Sequence, residues 1–330
     1  MTKILITFIT SFFIAMVIGI PFIYLMKKIK AKQTILSYVE HHKQKEGIPT
    51  MGGVIFLVTT LITCLIFWKG HHELSLVALV VIIVYGGIGA LDDGIKIILK
   101  RNLGLKAYQK IISQAMIAIL ITIYAYNSEY ISESILIPIW GQYVSIGSWY
   151  IPLCFIIFIA TTNCVNLTDG LDGLAGSSVC IYLSTMFVMI LAVFQDKSAL
   201  GQTFYAEELF NLLILVSSLI GSLLGFLWFN SHKAKIFMGD TGSLALGGAC
   251  AILPVIIKNP FIIILVGIMF VVSGISVIIQ VIVYKLKKKR VFLMAPFHHH
   301  LEMKGYNESK IVSLYSIVTA VAGVVGIIIS

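Results

Sequence analysis

The amino-acid sequence predicts an all-α polytopic integral membrane protein with about ten transmembrane helices. Hydrophobic side chains make up 58% of its 330 residues and charged side chains only 12%, whereas about a quarter of the residues in a typical soluble domain are charged. The apolar residues fall in long runs, and about 20 in sequence are enough to cross a bilayer. Ten such runs would use roughly 200 residues, so we expect residues 1–330 to form a single transmembrane domain.

The predicted helices follow one another along the whole chain. The first run, Ile4 to Met26, is too long for the apolar part of a secretion signal and is followed by lysines, so we expect it to be retained. Between the fourth and fifth spans, two short runs on either side of Trp140-Gly141-Gln142 predict a small external β-hairpin. The spans fall near residues 4–26, 51–68, 74–91, 108–126, 150–166, 174–194, 209–229, 242–257, 260–284 and 310–329.

The orientation in the membrane follows from the lysines and arginines. With ten spans, 20 of the 24 lie in the four loops on one side and the other 4 lie on the opposite side. The positive-inside rule places the basic loops in the cytoplasm. We therefore expect both termini to be extracytoplasmic.

Five of the six aspartates lie at predicted cytoplasmic helix ends. An acid at a helix end costs far less than one at the bilayer centre, so each alone could be a solvated terminus. Asp92 and Asp93 end the third span, and adjacent helical residues point about 100° apart. One of them can therefore face a metal and the other a substrate. Acids at a helix C-terminus oppose the helix dipole, which favours a functional role for this pair.

Two glycine-rich turns carry the other three cytoplasmic aspartates. Residues 166–173 place Asp169 and Asp172 three apart. Asp172 could N-cap the next helix, but capping leaves Asp169 and the glycines without a role, so we favour function. Asp240 opens the eighth span within residues 237–243. Here an N-cap is the alternative to a carboxylate that binds a divalent cation.

Three consecutive histidines, His298, His299 and His300, occupy the last cytoplasmic loop. Consecutive residues of a helix cannot all face one metal ion. We therefore prefer hydrogen-bonding or cationic contacts with phosphate to a zinc site, and a solvated loop is the alternative.

The clustered acids point to phosphoryl transfer. Carboxylates near one surface repel an anionic substrate unless a cation lies between them, and Mg²⁺ binds carboxylates together with substrate phosphates. Lys45, Lys96 and Lys106 would add positive charge. The chain has no Gly-x-x-x-x-Gly-Lys-Ser/Thr loop, which argues against a nucleoside-triphosphate motor. The sequence thus predicts a membrane-embedded, Mg²⁺-dependent phosphoryl-transfer enzyme with a cytoplasmic site.

Two other classes of protein fit the distribution of ionisable residues less well than an enzyme does. A cation or metabolite transporter would keep its ionisable residues near the bilayer midplane, whereas the middles of these spans hold almost none. A purely structural scaffold would leave the acids on one face unexplained. Both classes are disfavoured by the same pattern.

Several motifs, in order, resemble those of the polyprenyl-phosphate hexose-1-phosphate transferase superfamily. They are Asp92-Asp93 and residues 166–173, 237–242 and 295–305. The last of these, with residues 46–53, is especially similar to the phospho-N-acetylmuramoyl-pentapeptide transferases of peptidoglycan synthesis. The resemblance covers almost the whole chain.

The resemblance implies a reaction and a location. It implies that phospho-MurNAc-pentapeptide passes from UDP-MurNAc-pentapeptide to undecaprenyl phosphate, which gives lipid I and UMP. It also implies a homodimer in the bacterial inner (cytoplasmic) membrane, among membrane lipids and with no nucleic-acid partner. The alternative within the superfamily is a polyprenyl-phosphate GlcNAc-1-phosphate transferase, and residues 295–305 are the discriminating segment.

The resemblance also implies roles for individual residues. Asp240 is expected to bind Mg²⁺ with Asp92 and Asp93 nearby, and Asp92 is expected to contact or deprotonate the lipid phosphate. His298 completes the catalytic set, and Phe237 is expected to stack on uracil. Direct attack by the lipid phosphate and a two-step route through an acyl-phosphate on an aspartate both stay open. The implied substrate-binding residues are Lys45, Thr50, Lys96, Asn163, Asn166, Asp169, Gly170, Leu171, Asp172, Asn230, Phe237, His299 and His300.

Overall fold

The computed structural model describes residues 1–29, 47–99, 104–138 and 140–330. Within them, nine helices are long and apolar enough to cross a membrane, and strands form one two-stranded sheet. This confirms the predicted all-α, multi-pass architecture. The helices are α1 (Thr2–Lys28), α2 (Gly53–Phe67), α3 (Glu73–Ile98), α4 (Ala107–Asn127), α5 (Tyr150–Thr168), α6 (Leu174–Ala199), α7 (Thr203–Asn230), α8 (Gly239–Ile256), α9 (Ile262–Val266), α10 (Ile268–Lys287), α11 (Phe297–Met303) and α12 (Glu308–Ile329).

Three of the ten predicted spans differ clearly from the observed helices. The third, predicted over 74–91, continues to Ile98 as α3, so Asp92 and Asp93 lie within the helix and do not end it. The helix continues past them because both carboxylates find donors inside the bundle. The second, predicted over 51–68, is the 15-residue α2, because Met51 has a left-handed backbone (φ 67°) and the helix starts only after it. The ninth, predicted over 260–284, is divided into α9 and α10 at Gly267, where ψ is 19°. The second part then runs on to Lys287. The ten predicted spans therefore correspond to nine long helices and two short ones, α2 and α9.

The centre of the bundle is formed by α7 and α8. Nearly all of α8 is buried, and it is rich in Gly, Ala and Ser. Lipid supplies no hydrophobic drive for helices to associate, so small residues that allow close approach are favoured at such interfaces. A Cβ on Gly247 would lie 2.6 Å from the Cα of Thr162 in α5. Hydroxyl pairs add to the core, as between Thr60 and Ser222, whose oxygens are 2.9 Å apart.

One end of the bundle carries the predicted hairpin. Strands β1 (Ser134–Ile137) and β2 (Gln142–Ser145) pair antiparallel, and the Leu136 amide donates to the Lys258 carbonyl over 2.6 Å. At the start of α3, the buried carboxylate of Glu208 accepts the backbone N–H groups of residues 73 and 74 over 3.0 and 2.8 Å. These contacts satisfy polar groups that a helix terminus would otherwise leave unpaired.

The opposite end of the bundle brings together the C-terminal ends of α3 and α5 and the first turn of α8. Glycines set how closely these elements approach. A Cβ on Gly53 would overlap the backbone of Gly242, and a Cβ on Gly89 would overlap the carbonyl of Asp240. The sequence therefore places the first turn of α8 in direct backbone contact with α2 and α3.

Candidate active site

Asp240 lies in the first turn of α8, and both of its carboxylate oxygens accept contacts from other helices. Its Oδ1 accepts from Asn166 Nδ2 over 2.7 Å. Its Oδ2 lies 2.9 Å from Lys96 Nζ and 3.1 Å from Lys110 Nζ. The N-cap of α8 is Met238, without a side-chain cap. The Asp240 side chain therefore faces a polar cluster instead of capping its own helix.

Asp92 and Asp93 are both buried, and their carboxylates face different partners. Asp93 Oδ1 accepts the backbone N–H of Asp240 over 3.2 Å, and Oδ2 accepts the N–H and hydroxyl of Thr241 over 2.9 and 2.7 Å. Asp92 Oδ1 accepts the Leu105 N–H over 2.7 Å, and Oδ2 lies 2.6 Å from Lys96 Nζ. Asp93 thus binds the N-terminal end of α8, where the helix dipole favours an anion.

The three carboxylates are close enough to hold a metal ion. Asp92, Asp93 and Asp240 each offer an oxygen within 4.8 Å of the other two. An all-oxygen carboxylate set suits a hard divalent cation such as Mg²⁺. Lys96 contacts all three acids, with Nζ 3.7 Å from Asp93 Oδ1. The chemistry of these donors therefore fits the cation that the sequence predicted.

The turn between α5 and α6 lies beside this cluster. Asp169 is the C-cap of α5. Burial, together with the charges of Asp240, Asp93 and Asp172, raises the pKa of Asp169 to about 8. A Cβ on the next residue, Gly170, would overlap the imidazole of His298. Glycine fits at position 170 because the histidine ring fills the space that a side chain would need.

Asp172 and Asn230 hold the loop between α7 and α8. Asp172 Oδ2 accepts the Ala234 N–H over 3.1 Å. Asn230 accepts the Gly173 N–H over 3.2 Å and donates to the Ile236 carbonyl over 2.9 Å. The N-cap of α6 is Gly173, with a left-handed backbone (φ 73°) and no side-chain cap. The capping alternative for Asp172 is therefore not the arrangement observed.

Phe237 lies on a short extended segment that pairs with residues 49–53. Its N–H donates to the Pro49 carbonyl and its carbonyl accepts the Gly52 N–H, both over 2.8 Å. The side chain of Phe237 is partly buried, and Thr50 is buried close by, near Gly239. Lys45 lies outside the described residues.

The three histidines on α11 have different surroundings, although the rings of His298 and His299 lie close together, with centroids 4.3 Å apart. His298 is fully buried, with its ring against Gly170. His299 Nδ1 lies 2.6 Å from Glu302 Oε2. His300 Nδ1 accepts the Leu293 N–H over 3.1 Å, and desolvation and the Lys304 charge lower the pKa of His300. Each histidine thus has a different partner, and the predicted contacts of these histidines with phosphate stay a prediction.

Comparison of the sequence with known proteins shows which family the chain belongs to. Residues 74–258 match the model of glycosyl transferase family 4, and residues 45–57 match signature 1 of the phospho-N-acetylmuramoyl-pentapeptide-transferases. Proteins of that name are similar to this chain over almost their whole length. The one from Clostridium kluyveri (strain NBRC 12016) is 42% identical over 99% of both chains. The one from Clostridium novyi (strain NT) is 41% identical over 96% of this chain and 93% of its own.

The chain belongs to the phospho-N-acetylmuramoyl-pentapeptide-transferase family. This confirms the resemblance inferred from the motifs, and the chain is therefore a membrane-embedded transferase of peptidoglycan synthesis. The family signature at 45–57 and the segment at 49–53 that pairs with Phe237 overlap. Part of the family signature, residues 49–53, thus lies against the segment that leads into α8.

Several residues that the sequence predicted near the site of this transferase lie outside the acid cluster. Asn163 Nδ2 donates to Gln114 Oε1 over 2.7 Å. Leu171 is buried in a small apolar cluster with Tyr315. Lys106 stays exposed at the N-terminal end of α4. The structure brings together Asp92, Asp93, Lys96, Asn166 and Asp240.

Sequence reasoning missed Lys110, a further lysine of the cluster. Its Nζ lies 3.1 Å from Asp240 Oδ2 and 3.4 Å from Asn166 Oδ1. Thr241 and Ser243, which bind Asp93 and Asn166, were also missed, although both stand in a motif that was singled out. Lys110 stands at the cytoplasmic end of the predicted span 108–126, where a lysine costs little, so hydropathy gave no signal for this contact.

Lys110→Gln should lower kcat/KM of the transferase about 10- to 150-fold, since hydrogen bonds to charged groups contribute about 1.5–3 kcal/mol. The glutamine keeps a donor but removes the charge beside Asp240. Lys106→Gln, at the exposed start of the same helix, should change kcat/KM less than threefold. Initial rates over a range of donor concentrations measure both. Equal effects of the two variants would contradict a specific role for Lys110.

Proposed function

We propose that this transferase moves phospho-MurNAc-pentapeptide from UDP-MurNAc-pentapeptide to undecaprenyl phosphate at the cytoplasmic face of the bacterial inner membrane. An oxygen of the lipid phosphate forms a bond to the sugar-bearing phosphorus of the donor. The bond from that phosphorus to the UMP oxygen breaks, and UMP leaves. One phosphoanhydride replaces another, so the products are lipid I and UMP.

The observation that carries this proposal is the cluster of three carboxylates and two lysines at one end of the buried helices. Both substrates are anions, so the larger task is to align them and to offset their repulsion. Asp92, Asp93 and Asp240 would hold Mg²⁺, which supplies positive charge between the two phosphate groups. Lys96 and Lys110, already 2.9 and 3.1 Å from Asp240 Oδ2, supply more.

The roles of the individual acids follow from their contacts. The Asp240 carboxylate accepts from the side chains of Lys96, Lys110 and Asn166, and we assign it as the carboxylate that exchanges a lysine for a cation. Asp93 binds the backbone of α8 and positions Asp240. Asp92 accepts the Leu105 N–H with one oxygen, and we assign its other oxygen to the lipid phosphate. His298 and His299 contact the transferred phosphate or sugar.

Release of UMP by the purified protein tests the proposed function. The assay contains undecaprenyl phosphate and Mg²⁺ and compares UDP-MurNAc-pentapeptide with UDP-GlcNAc. We expect release from the muramoyl donor alone and none after chelation. Release from UDP-GlcNAc alone would assign the chain to the sister reaction. No release from either donor, by protein shown to be folded, would reopen the transporter interpretation.

Phe237→Ala should raise KM for the donor about 5- to 150-fold and leave KM for the lipid unchanged. The reason is that stacking of a base on an aromatic ring contributes about 1–3 kcal/mol. Phe237 is partly buried on a segment fixed by hydrogen bonds to Pro49 and Gly52, so its ring is held in place for uracil. Steady-state kinetics with each substrate varied in turn measure the effect.

The matched control for the Phe237 variant is Trp228→Ala. Trp228 is 65% exposed in the last turns of α7, which suits an interfacial aromatic. Neither KM should change by more than about twofold in this variant. An unchanged donor KM in Phe237→Ala, or an equal change in the control, would count against stacking.

The resemblance of the motifs also supports a homodimer, and the positive-inside distribution of charge supports the cytoplasmic location of the site. Light scattering of the detergent-solubilised protein measures the first, and a twofold chain mass is expected. Labelling of a cysteine introduced at Lys304 in intact cells tests the second. We expect membrane-impermeant reagents not to reach it until the cells are lysed.

A further inference from the structure

A second group of metal-ligating side chains lies beside the turn between α5 and α6. Asp172, His232 and Glu308 each offer one ligand atom within 4.8 Å of the other two. Among the residues that the structure describes, the one other group as close is the set of carboxylates around Asp240. The two groups differ in chemistry, because this one contains an imidazole.

The fold holds His232 close to Asp172. His232 lies in the loop between α7 and α8, and Asp172 Oδ2 accepts the N–H of Ala234 from the same loop over 3.1 Å. Asn230, at the start of the loop, accepts the N–H of Gly173 from the start of α6 and donates to the Ile236 carbonyl near the end of the loop. Asp172 itself is 5% exposed. The loop therefore cannot carry His232 far from the buried carboxylate.

Glu308 reaches the same place from the first turn of α12. Asn307 is the N-cap of this helix. Ile311, three residues after Glu308 and hence on the same helical face, is buried in an apolar cluster that also contains Leu171. That contact lays this face of α12 on the turn that carries Asp172. Three separate segments thus converge on one point.

We propose that Asp172, His232 and Glu308 form a zinc site, distinct from the all-oxygen site around Asp240. Two carboxylates and one imidazole make a mixed oxygen and nitrogen set. Imidazole favours Zn²⁺ and similar transition ions, whereas Mg²⁺ prefers oxygen ligands alone. Three protein ligands with a fourth position for water or a ligand is an arrangement that zinc adopts in proteins.

Occupancy of this site has a consequence for the reaction, which rests on the proposed function. The resemblance of the motifs implies that Asp172 binds the uridine part of the donor. A Zn²⁺ ion bound to its carboxylate would take that group away from the nucleotide. Zn²⁺ should therefore inhibit the transferase in competition with UDP-MurNAc-pentapeptide and not with the lipid.

Titration of the donor-free protein with Co²⁺, in excess Mg²⁺, tests the site directly. Co²⁺ replaces Zn²⁺ and gives visible absorption, while Mg²⁺ occupies the all-oxygen site. We expect one Co²⁺ per chain, displaced by Zn²⁺. His232→Ala and Glu308→Gln should each weaken Co²⁺ binding at least about tenfold. His71→Ala, an exposed histidine outside the group, is the control and should bind as the unmodified protein does.

Two results of the titration would overturn the zinc site. One is the absence of Co²⁺ binding by the unmodified protein. The other is Co²⁺ binding by the His232 and Glu308 variants that is as tight as binding by the unmodified protein. Without Zn²⁺ these variants should release UMP at nearly the normal rate, and with Zn²⁺ they should need at least tenfold more of it for inhibition. Failure of all UMP release would refute the proposed function, and the Co²⁺ titration would still decide the site.

Discussion

Asp240→Asn should lower the rate of UMP release about 1000-fold and leave the melting temperature in detergent nearly unchanged. Asparagine keeps the shape of the side chain and the oxygen that accepts from Asn166. It places a neutral amide where Oδ2 now lies 2.9 Å from Lys96 and 3.1 Å from Lys110. The charge that would hold the divalent cation is lost. Initial rates over a range of Mg²⁺ concentrations, with thermal melting of the same samples, measure both quantities.

Variants of the other aspartates separate catalysis from folding. Asp92→Asn should lower the rate by orders of magnitude and leave the melting temperature nearly unchanged. Asp93→Asn should lower both, because Asp93 accepts three hydrogen bonds from the start of α8, and each is worth about 1 kcal/mol. The control is Asp196→Asn, an exposed aspartate at the far end of α6, which should change neither. Normal turnover by all three site variants would overturn the metal-site proposal.

The helices could be predicted from the sequence because a membrane leaves the backbone few choices. Apolar runs must become helices when lipid cannot satisfy their polar groups, and the runs gave the helices with small errors. The larger errors were the break at Gly267 and the length of α3, which continues to Ile98 although its predicted span ended at 91. Gly267 lies within apolar sequence, so hydropathy carried no signal for that break. The charged residues from Asp92 to Lys96 ended the predicted span, but the backbone stays helical because these side chains find partners inside the bundle.

The candidate site was predictable in position but not in its contacts. The topology alone put five aspartates at one end of the bundle. It could not say that Lys110 would reach Asp240, since 130 residues separate them and their contact depends on how α4 is rotated against α8. Nor could it say that Asp93 would bind backbone N–H groups. The rotation of each helix is set by the packing of small residues. A single sequence shows where the glycines are but not which helices they contact.

Gly89→Ala should lower the rate of UMP release about 100-fold, although the residue lies outside the polar cluster. A Cβ at this position would overlap the carbonyl of Asp240 and lie 2.5 Å from the backbone nitrogen of Thr241. Both are backbone atoms that cannot move by a side-chain rotation, so α3 and α8 must separate. A displacement of about 1 Å at the reacting groups can cost 100-fold in rate. UMP release and thermal melting measure the variant.

The matched control for this variant is Gly87→Ala, two residues earlier on the same helix. A Cβ on Gly87 meets no atom within 4 Å, so the substitution should leave the rate unchanged and, because alanine favours helix by about 1 kcal/mol over glycine, should not lower the melting temperature. Gly89→Ala gains the same helix propensity but meets overpacking that typically costs about 1–3 kcal/mol. Its melting temperature should therefore fall below that of the control. If the two variants had equal rates, backbone contact between α3 and α8 would not be what positions the aspartates.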